Sequence, residues 1–366
     1  MKGRATSRQG PIGHRRPRTR RGERAIPKHE LNILFTCVGR RVALMDAFRR
    51  AMAKLDCAGK IIATDVTSSS PAFQRADVGC IMPSVGRIEY IPSLLGIVRK
   101  HRIGLVVPLT DLDLRSLARQ RDQFTGEGCT VMIGSEPVVA LCRDKARINS
   151  LLTQAGLSTI RTCTLREFRT QPFYPCFVKP VRGSAGVGAG VINNEKELIA
   201  HVATYGDLLL VQDYVPGQEF TVDVYRSRDG QVRCVVPRQR LVVRSGEVEK
   251  GVTVHDPELI EATTKLASLL DDMWGVFCCQ CRRPGGNGGA PRFFEINPRF
   301  GGGSVLSIAA GADLPLYLLQ EVLGQPITAT VGQFTDHLLM LRYDEAVFMQ
   351  VDAIEKLSGF NQPMFR

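Results

Sequence analysis

No apolar run in this 366-residue sequence approaches the ~20 residues that cross a bilayer, so a soluble protein is expected. The first apparent strand-to-helix turn, Cys37-Val38-Gly39-Arg40-Arg41, has one glycine where a dinucleotide fingerprint needs three. A nicotinamide or flavin cofactor is thereby disfavoured. No GK[ST] leads into a helix, which excludes a Walker P-loop. The eleven cysteines are scattered and odd in number. Their densest group, Cys278, Cys279 and Cys281, has no second cluster to complete a zinc site, and reduced cytosolic thiols are expected. The amino-terminal segment has no apolar h-region, and its Gly and Pro oppose the amphipathic helix of a transit peptide, so the expected location is cytoplasmic. No internal repeat is visible.

The net charge of +12 is concentrated at one end. Residues 1–30 hold ten Lys or Arg against Glu23 and Glu30, which accounts for +8; residues 31–366 hold 38 against 34. Rich in Gly, Pro and Arg and poor in apolar residues, residues 1–30 read as a disordered basic tail that cannot bury enough surface to offset ordering entropy. RNA or another polyanion could bind it by counterion release. A solvated extension is the simpler reading, and nucleic acid is not expected elsewhere on the chain.

From Leu31 the pattern alternates. LNILFTCV reads as a strand, and Val42, Met45, Phe48, Met52 and Leu55 follow at helical spacing. KIIATD, a helix around Tyr90 to Val98, GLVVP and TVMIG continue it, implying a parallel sheet covered by helices over residues 31–140. Asp65, at a strand end, reads as a loop cap. Thr110, Asp111 and Asp113 follow a strand at the edge where such sheets bind ligands, with helix capping by either aspartate as the alternative. Residues 141–345 change to strands joined by glycine loops, with helices near 144–155, 258–270 and 305–323; this half reads as α+β with antiparallel sheets. Residues 346–366 form a carboxy-terminal extension.

In PCFVKPVRGSAGVGAGVINN, Gly183, Ser184, Gly186 and Gly188 occupy a short loop that reads as a hairpin lid whose backbone N–H groups can approach phosphate oxygens. Lys179 precedes it, and Lys145 opens the helix after Asp144. In LLLVQDYVPGQEFTVDVY, residues 212–215, including Asp213, Tyr214 and Val215, can offer backbone groups to an adenine edge. Glu219, Thr221 and Asp223 share one face of the next strand, and Glu219 can accept from ribose hydroxyls. VFCCQC and RFFEINPRFGGGS fold as a hairpin that sets Gln280 opposite Glu295. Alternation puts Phe293, Glu295 and Asn297 on one face, and an acidic residue in so apolar a strand calls for a compensating cation. Gln280, Glu295 and Asn297 offer hard oxygen ligands suited to Mg²⁺. Arg299 supplies positive charge for a transferred phosphoryl group. Arg238, Arg240, Arg244 and Lys250 lie in a basic strand segment that could neutralise an anionic substrate, and Gly301–Ser304 open a helix whose amino terminus could seat a carboxylate.

In this order the residues resemble the ATP-grasp enzymes, most closely the ATP-binding units of the carbamoyl-phosphate synthetase large chain. The resemblance runs from about Leu31 to Tyr343. It implies a pre-ATP-grasp parallel α/β domain followed by an ATP-grasp fold, two α+β subdomains with ATP between them. It implies Lys145 and Lys179 on the α and β phosphates, Asp213 and Val215 framing adenine, Glu219 on ribose, Gln280, Glu295 and Asn297 on magnesium, and Arg299 at the γ-phosphate or acyl-phosphate. Arg240 and Lys250 join Arg299 as catalytic candidates. The cofactors expected are ATP with two Mg²⁺ ions, Mn²⁺ being the alternative ion, and the expected assembly is a homodimer. Three features depart from the carbamoyl-phosphate pattern: lysines at 145 and 179 in place of arginines, a shorter Asp213, and a single unit without a glutaminase segment. The implied activity is ligation of a small-molecule carboxylate to an amine through an acyl-phosphate. Carboxyphosphate or carbamoyl-phosphate chemistry, and noncatalytic binding of nucleotide or RNA, are the alternatives.

Overall fold

A computed structural model describes residues 29–181, 187–244, 246–285 and 289–350. Most of the basic tail, the loop residues Gly183, Ser184 and Gly186, and residues 351–366 of the carboxy-terminal extension lie outside them. His29–Glu30 belong to the folded chain, pairing in parallel with Cys57–Ala58.

Five parallel strands form the first sheet, in the order 78–81, 61–65, 32–36, 103–108, 130–131. Their alternate residues face two different cores. Ile33, Phe35, Ile61, Ala63, Leu105 and Val107 pack on one side, while Leu34, Ile62 and Val106 pack on the other. Burial of both faces explains the near-continuous apolar runs. The helix Val42–Lys54 buries Met45, Phe48 and Met52 in the first of these cores, which continues through Phe300 and Tyr317 into the second half of the chain. Strand order reverses beside 32–36, so the turns Cys37–Arg41 and Thr110–Asp113 open a crevice at the carboxyl edge. Asp65 closes the first turn, accepting from Gly39 N at 2.9 Å and Ser70 Oγ at 2.7 Å.

Two antiparallel sheets follow. The smaller contains strands 190–192, 176–180, 209–213 and 162–164; the larger contains 292–297, 275–284, 217–226, 232–244, 247–253 and 339–341, each in that order. The helix Lys145–Gln154 begins where Asp144 Oδ1 accepts from Ala146 N and Arg147 N at 3.2 and 3.1 Å. It buries Ile148 and Leu152 against one face of the larger sheet, together with the helix Pro257–Ser268.

Two expected elements differ. The helix expected over 305–323 is two helices, Ser304–Ala309 and Leu314–Val322. Gly311 takes φ +101° between them, a conformation outside the helical region, and Pro315 begins the second. The TVMIG strand is reduced to Thr130–Val131.

Candidate active site

The face of the larger sheet turned away from the helices Lys145–Gln154 and Pro257–Ser268 carries a row of polar side chains. Across strand 217–226, Glu219 opposes Arg282, Thr221 opposes Gln280 and Asp223 opposes Cys278. The next strand sets Glu295 opposite Gln280 and Asn297 opposite Cys278. The hairpin pairing is as expected, but one face assignment is not. A bulge at Phe294 turns Phe293 into the core with Cys279, Cys281 and Ile296, while Glu295 and Asn297 remain on the polar face. Glu295 is therefore not sunk among phenylalanines; its side chain is 31% exposed.

Lys145 Nζ lies 3.6 Å from Glu295 Oε1, joining the start of one helix to the middle of this strand. Lys179 reaches over Phe294 from the smaller sheet, at 5.5 Å from the ring centre. Burial, and then the neighbouring Lys145 ammonium, push the Lys179 pKa down to about 8. Below pH 8 this lysine is charged both folded and unfolded, and its burial opposes folding in full; between pH 8 and its ordinary 10.5 the folded protein sheds the proton and the penalty is relieved. Two outcomes are expected of Lys179→Met at pH 7: a higher Tm, and ATP binding weaker by about 10–100-fold for a lost charge-assisted contact. Wild-type affinity should fall as pH rises through 8. Unchanged affinity on calorimetric titration would remove Lys179 from the phosphate site.

Glu219 is held by Arg240 Nε at 3.2 Å and Arg282 Nη2 at 2.8 Å, and Arg282 Nη1 donates to Val215 O at 3.1 Å. Arg282 thus spans the two acceptors assigned to the nucleoside from the sequence. It was missed there, although alternation from Gln280 places it on the same face. The Asp213 carboxylate is taken by Arg161 at 2.9 Å, whose guanidinium lies 3.6 Å above Phe173; that leaves the backbone of 213–215 to meet a base. Tyr214 is exposed and Val215 buried. Gly188 takes φ +68° beside the loop, and its carbonyl meets His201 Nε2 at 3.1 Å.

Oriented by its partners, the Gln280 amide donates to Glu295 Oε2 at 2.6 Å and accepts from Arg240 Nη1 at 2.9 Å. Its oxygen must turn from Arg240 to meet a cation. Among the described residues no group of three or more His, Cys, Asp or Glu is arranged to hold a metal. One carboxylate with two amides suits a hard divalent ion that takes its other ligands from phosphates and water, so the donor set fits Mg²⁺ only together with a nucleotide.

Arg299 donates to Asp111 Oδ2 at 3.0 Å and to Asn297 Oδ1 at 3.3 Å, which locks the strand of Glu295 and Asn297 to the parallel domain. Asp111 caps no helix, and Asp113 at the helix start makes no capping bond; it is wholly buried and accepts from Tyr90 Oη at 2.9 Å. Burial raises the Asp113 pKa. Lys250 is exposed and stands apart: it precedes Gly251, the partner of Arg240, and so falls on the other face of the sheet. Arg244 pairs with Asp344 at 3.3 Å on the surface. Arg238 is fully buried in a two-bond pair with Asp223, at 2.8 and 3.0 Å. The expected carboxylate seat at Gly301–Ser304 is built differently. Ser304 and Ser307 turn their hydroxyls inward to Asp223, at 2.9 and 2.6 Å, and the helix has six residues.

Three family models match in chain order: "PylC-like, N-terminal domain" over 33–132, "D-ala D-ala ligase C-terminus" over 149–245, and "ATP-grasp in the biosynthetic pathway with Ter operon" over 206–345. A formate-dependent phosphoribosylglycinamide formyltransferase of a Synechococcus species is 29% identical over 258 residues, 65% of this chain and 61% of that protein. A D-alanine–D-alanine ligase of Syntrophotalea carbinolica is 30% identical over 171 residues, 44% of this chain and 54% of that protein. The chain thus spans roughly half to three-fifths of these two relatives. N5-carboxyaminoimidazole synthetase from Staphylococcus aureus, solved with ADP, superimposes with a TM-score of 0.65 at 17% identity, covering 83% of this chain and 81% of that one; at such identity the likeness is one of fold. The parallel domain, the two antiparallel sheets behind it and the three ordered matches make this chain a member of the ATP-grasp superfamily.

Proposed function

We propose that the protein is an ATP- and Mg²⁺-dependent ligase that activates a carboxylate as an acyl-phosphate for attack by an amine. The observation that carries this reading is the convergence of Lys145, Lys179, Glu295 and Asn297, from three separate elements, beside Arg299. A structural ion pair would account for Lys145 and Glu295 but not for a second, half-buried lysine with a depressed pKa or for the amides alongside.

Residues 31–140 form the pre-ATP-grasp domain and 141–345 the ATP-grasp domain in this reading. Backbone groups of 213–215 hold the adenine edge. Glu219 takes the ribose hydroxyls once Arg282 swings from it. Lys145 and Lys179 bind the α and β phosphates; Glu295 and Asn297, with Gln280 after its amide turns, would hold Mg²⁺, which would supply positive charge to offset that of the phosphates. A carboxylate oxygen bonds to the γ-phosphorus as the bridge to the β-phosphate breaks, and ADP leaves. Arg299 stabilises the charge on the transferred group. The amine then attacks the acyl carbon, the phosphate departs, and the amine loses its proton. The role for Arg240 is to orient Glu219 and Gln280, which it touches, whereas Lys250 stands outside the reacting groups.

The test is ADP release, with Mg²⁺, across a matrix of amino acids, sugar acids and amines. Release that needs both a carboxylate and an amine is expected. Release driven by bicarbonate alone would favour carboxyphosphate chemistry, and nucleotide binding without release under any pairing would sink the ligase reading.

A further inference from the structure

The crevice at the reversal of the parallel sheet is a cleft of about 950 Å³ that the nucleotide reading leaves unused. One wall is the turn from Cys37 to Arg41. The others come from Glu247–Glu249, the glycine turn Gly301–Gly302, and the chain from Met340 onward. It opens two residues beyond Arg299, and thus beside the proposed phosphoryl-transfer point.

Five arginines and five carboxylates line it, and the charge is uneven around Glu247. Glu247 faces Arg40, Arg41 and Arg342 at 3.8, 3.5 and 3.0 Å, one carboxylate among three guanidiniums. Burial opposes the Glu247 charge, but Arg41 and Arg342 outweigh it and hold its pKa below the usual range. Burial also lowers the pKa of Arg41, Glu247 opposes the shift, and Arg299 and Arg342 add to it. Side chains that stay charged in such surroundings are stabilised by a further anion. The turn is shaped to leave these groups in place, since a Cβ on Gly302 would come within 3.0 Å of both Glu247 Oε1 and Arg41 Nη1. Val305, Met340 and Leu341 line the remainder with apolar surface.

We propose that this cleft binds an acidic organic reactant, with an anchoring carboxylate or phosphate on Arg40, Arg41 and Arg342 and an apolar body against Val305, Met340 and Leu341. The anchor is distinct from the reacting group, which points toward Arg299. The volume admits a reactant much larger than a free simple amino acid. That the ligand is a reactant rests on the ligase reading; that the cleft binds it does not.

Phenylsuccinate, phenyl phosphate and 4-phenylbutylamine are titrated into the full chain by ligand-observed NMR and calorimetry, with ADP and Mg²⁺ titrated in parallel. The two acids should bind and the amine should not, and whichever acid is tighter identifies the anchoring group. Arg41→Met should weaken the acids by about tenfold, as expected for one lost charge-assisted contact, with ADP affinity unchanged. Because Arg41 is largely buried, Arg40→Met, whose side chain is 71% exposed, supplies a second variant that should fold normally and bind the acids several-fold more weakly. Binding of the amine as tightly as the acids, or acid affinity unaltered in both variants, would overturn the inference. Acid binding without ADP binding would leave it standing and remove the ligase reading instead.

Discussion

Glu295→Gln is expected to leave the protein folded and to reduce Mg²⁺-dependent ADP release by at least about a thousandfold, the equivalent of some 4 kcal/mol at the transition state. The substitution keeps the size of the side chain and a hydrogen bond to Gln280, and removes only the charge. The stability cost should be small. Glu295 is 31% exposed and its ion pair with Lys145 is 3.6 Å long, a geometry worth at most about 1 kcal/mol. Its charge matters when phosphates and a divalent ion crowd the same face, because the carboxylate is then the one anionic ligand the described donor set provides. Melting temperature and ADP release measured on one preparation separate the two roles. A folded variant with normal turnover would sink the metal assignment, and a strongly destabilised one would make Glu295 a structural residue.

Asp223→Ala should destabilise the fold by about 3–5 kcal/mol, whatever the chemistry of the site. Asp223 is completely buried and Arg238 is 1% exposed, so removing the carboxylate strands a guanidinium with no access to water. Two serine hydroxyls, from Ser304 and Ser307, lose their acceptor as well. Arg238 has no slack: its Nη1 already lacks a partner, and a Cβ on Gly303 would sit 2.4 Å from it. Replacing both members, as Asp223→Leu with Arg238→Met, should recover much of the loss, since a buried pair is far more costly to halve than to remove. Urea midpoints of the three proteins settle this. A single variant within 1 kcal/mol of wild type would show that Arg238 finds another partner.

The stability prediction bears on the cleft, because the Asp223–Arg238 pair supports the glycine turn that forms one of its walls. Loosening that turn should weaken acid binding in Asp223→Ala before unfolding is complete, and the calorimetric titration used for the cleft reads this directly.

Local features were legible in the sequence where one short-range rule decided them. Period-two alternation and a glycine loop put Gln280 opposite Glu295, and the apolar runs of 32–36 and 103–108 announced a sheet covered on both faces. Asp144 marked a helix start, and Asp65 a capped loop. Where a single residue changes the local geometry, the same rules misplaced side chains: the bulge at Phe294 moved Phe293 to the core, and Gly311 broke one helix into two. Contacts between distant segments were beyond any such rule. Arg299 meeting Asp111 across 188 residues, Arg282 bridging Val215 and Glu219, and three arginines gathering on Glu247 each need two or more elements to be packed first. The sequence by itself determined the order of the elements and the identity of the phosphate and metal candidates, because backbone periodicity and side-chain chemistry are local properties. Only the tertiary structure decided which charges pair, which stay uncompensated and where a second cleft opens, because a charge's partner and its solvation depend on what the rest of the chain brings within a few ångströms of it.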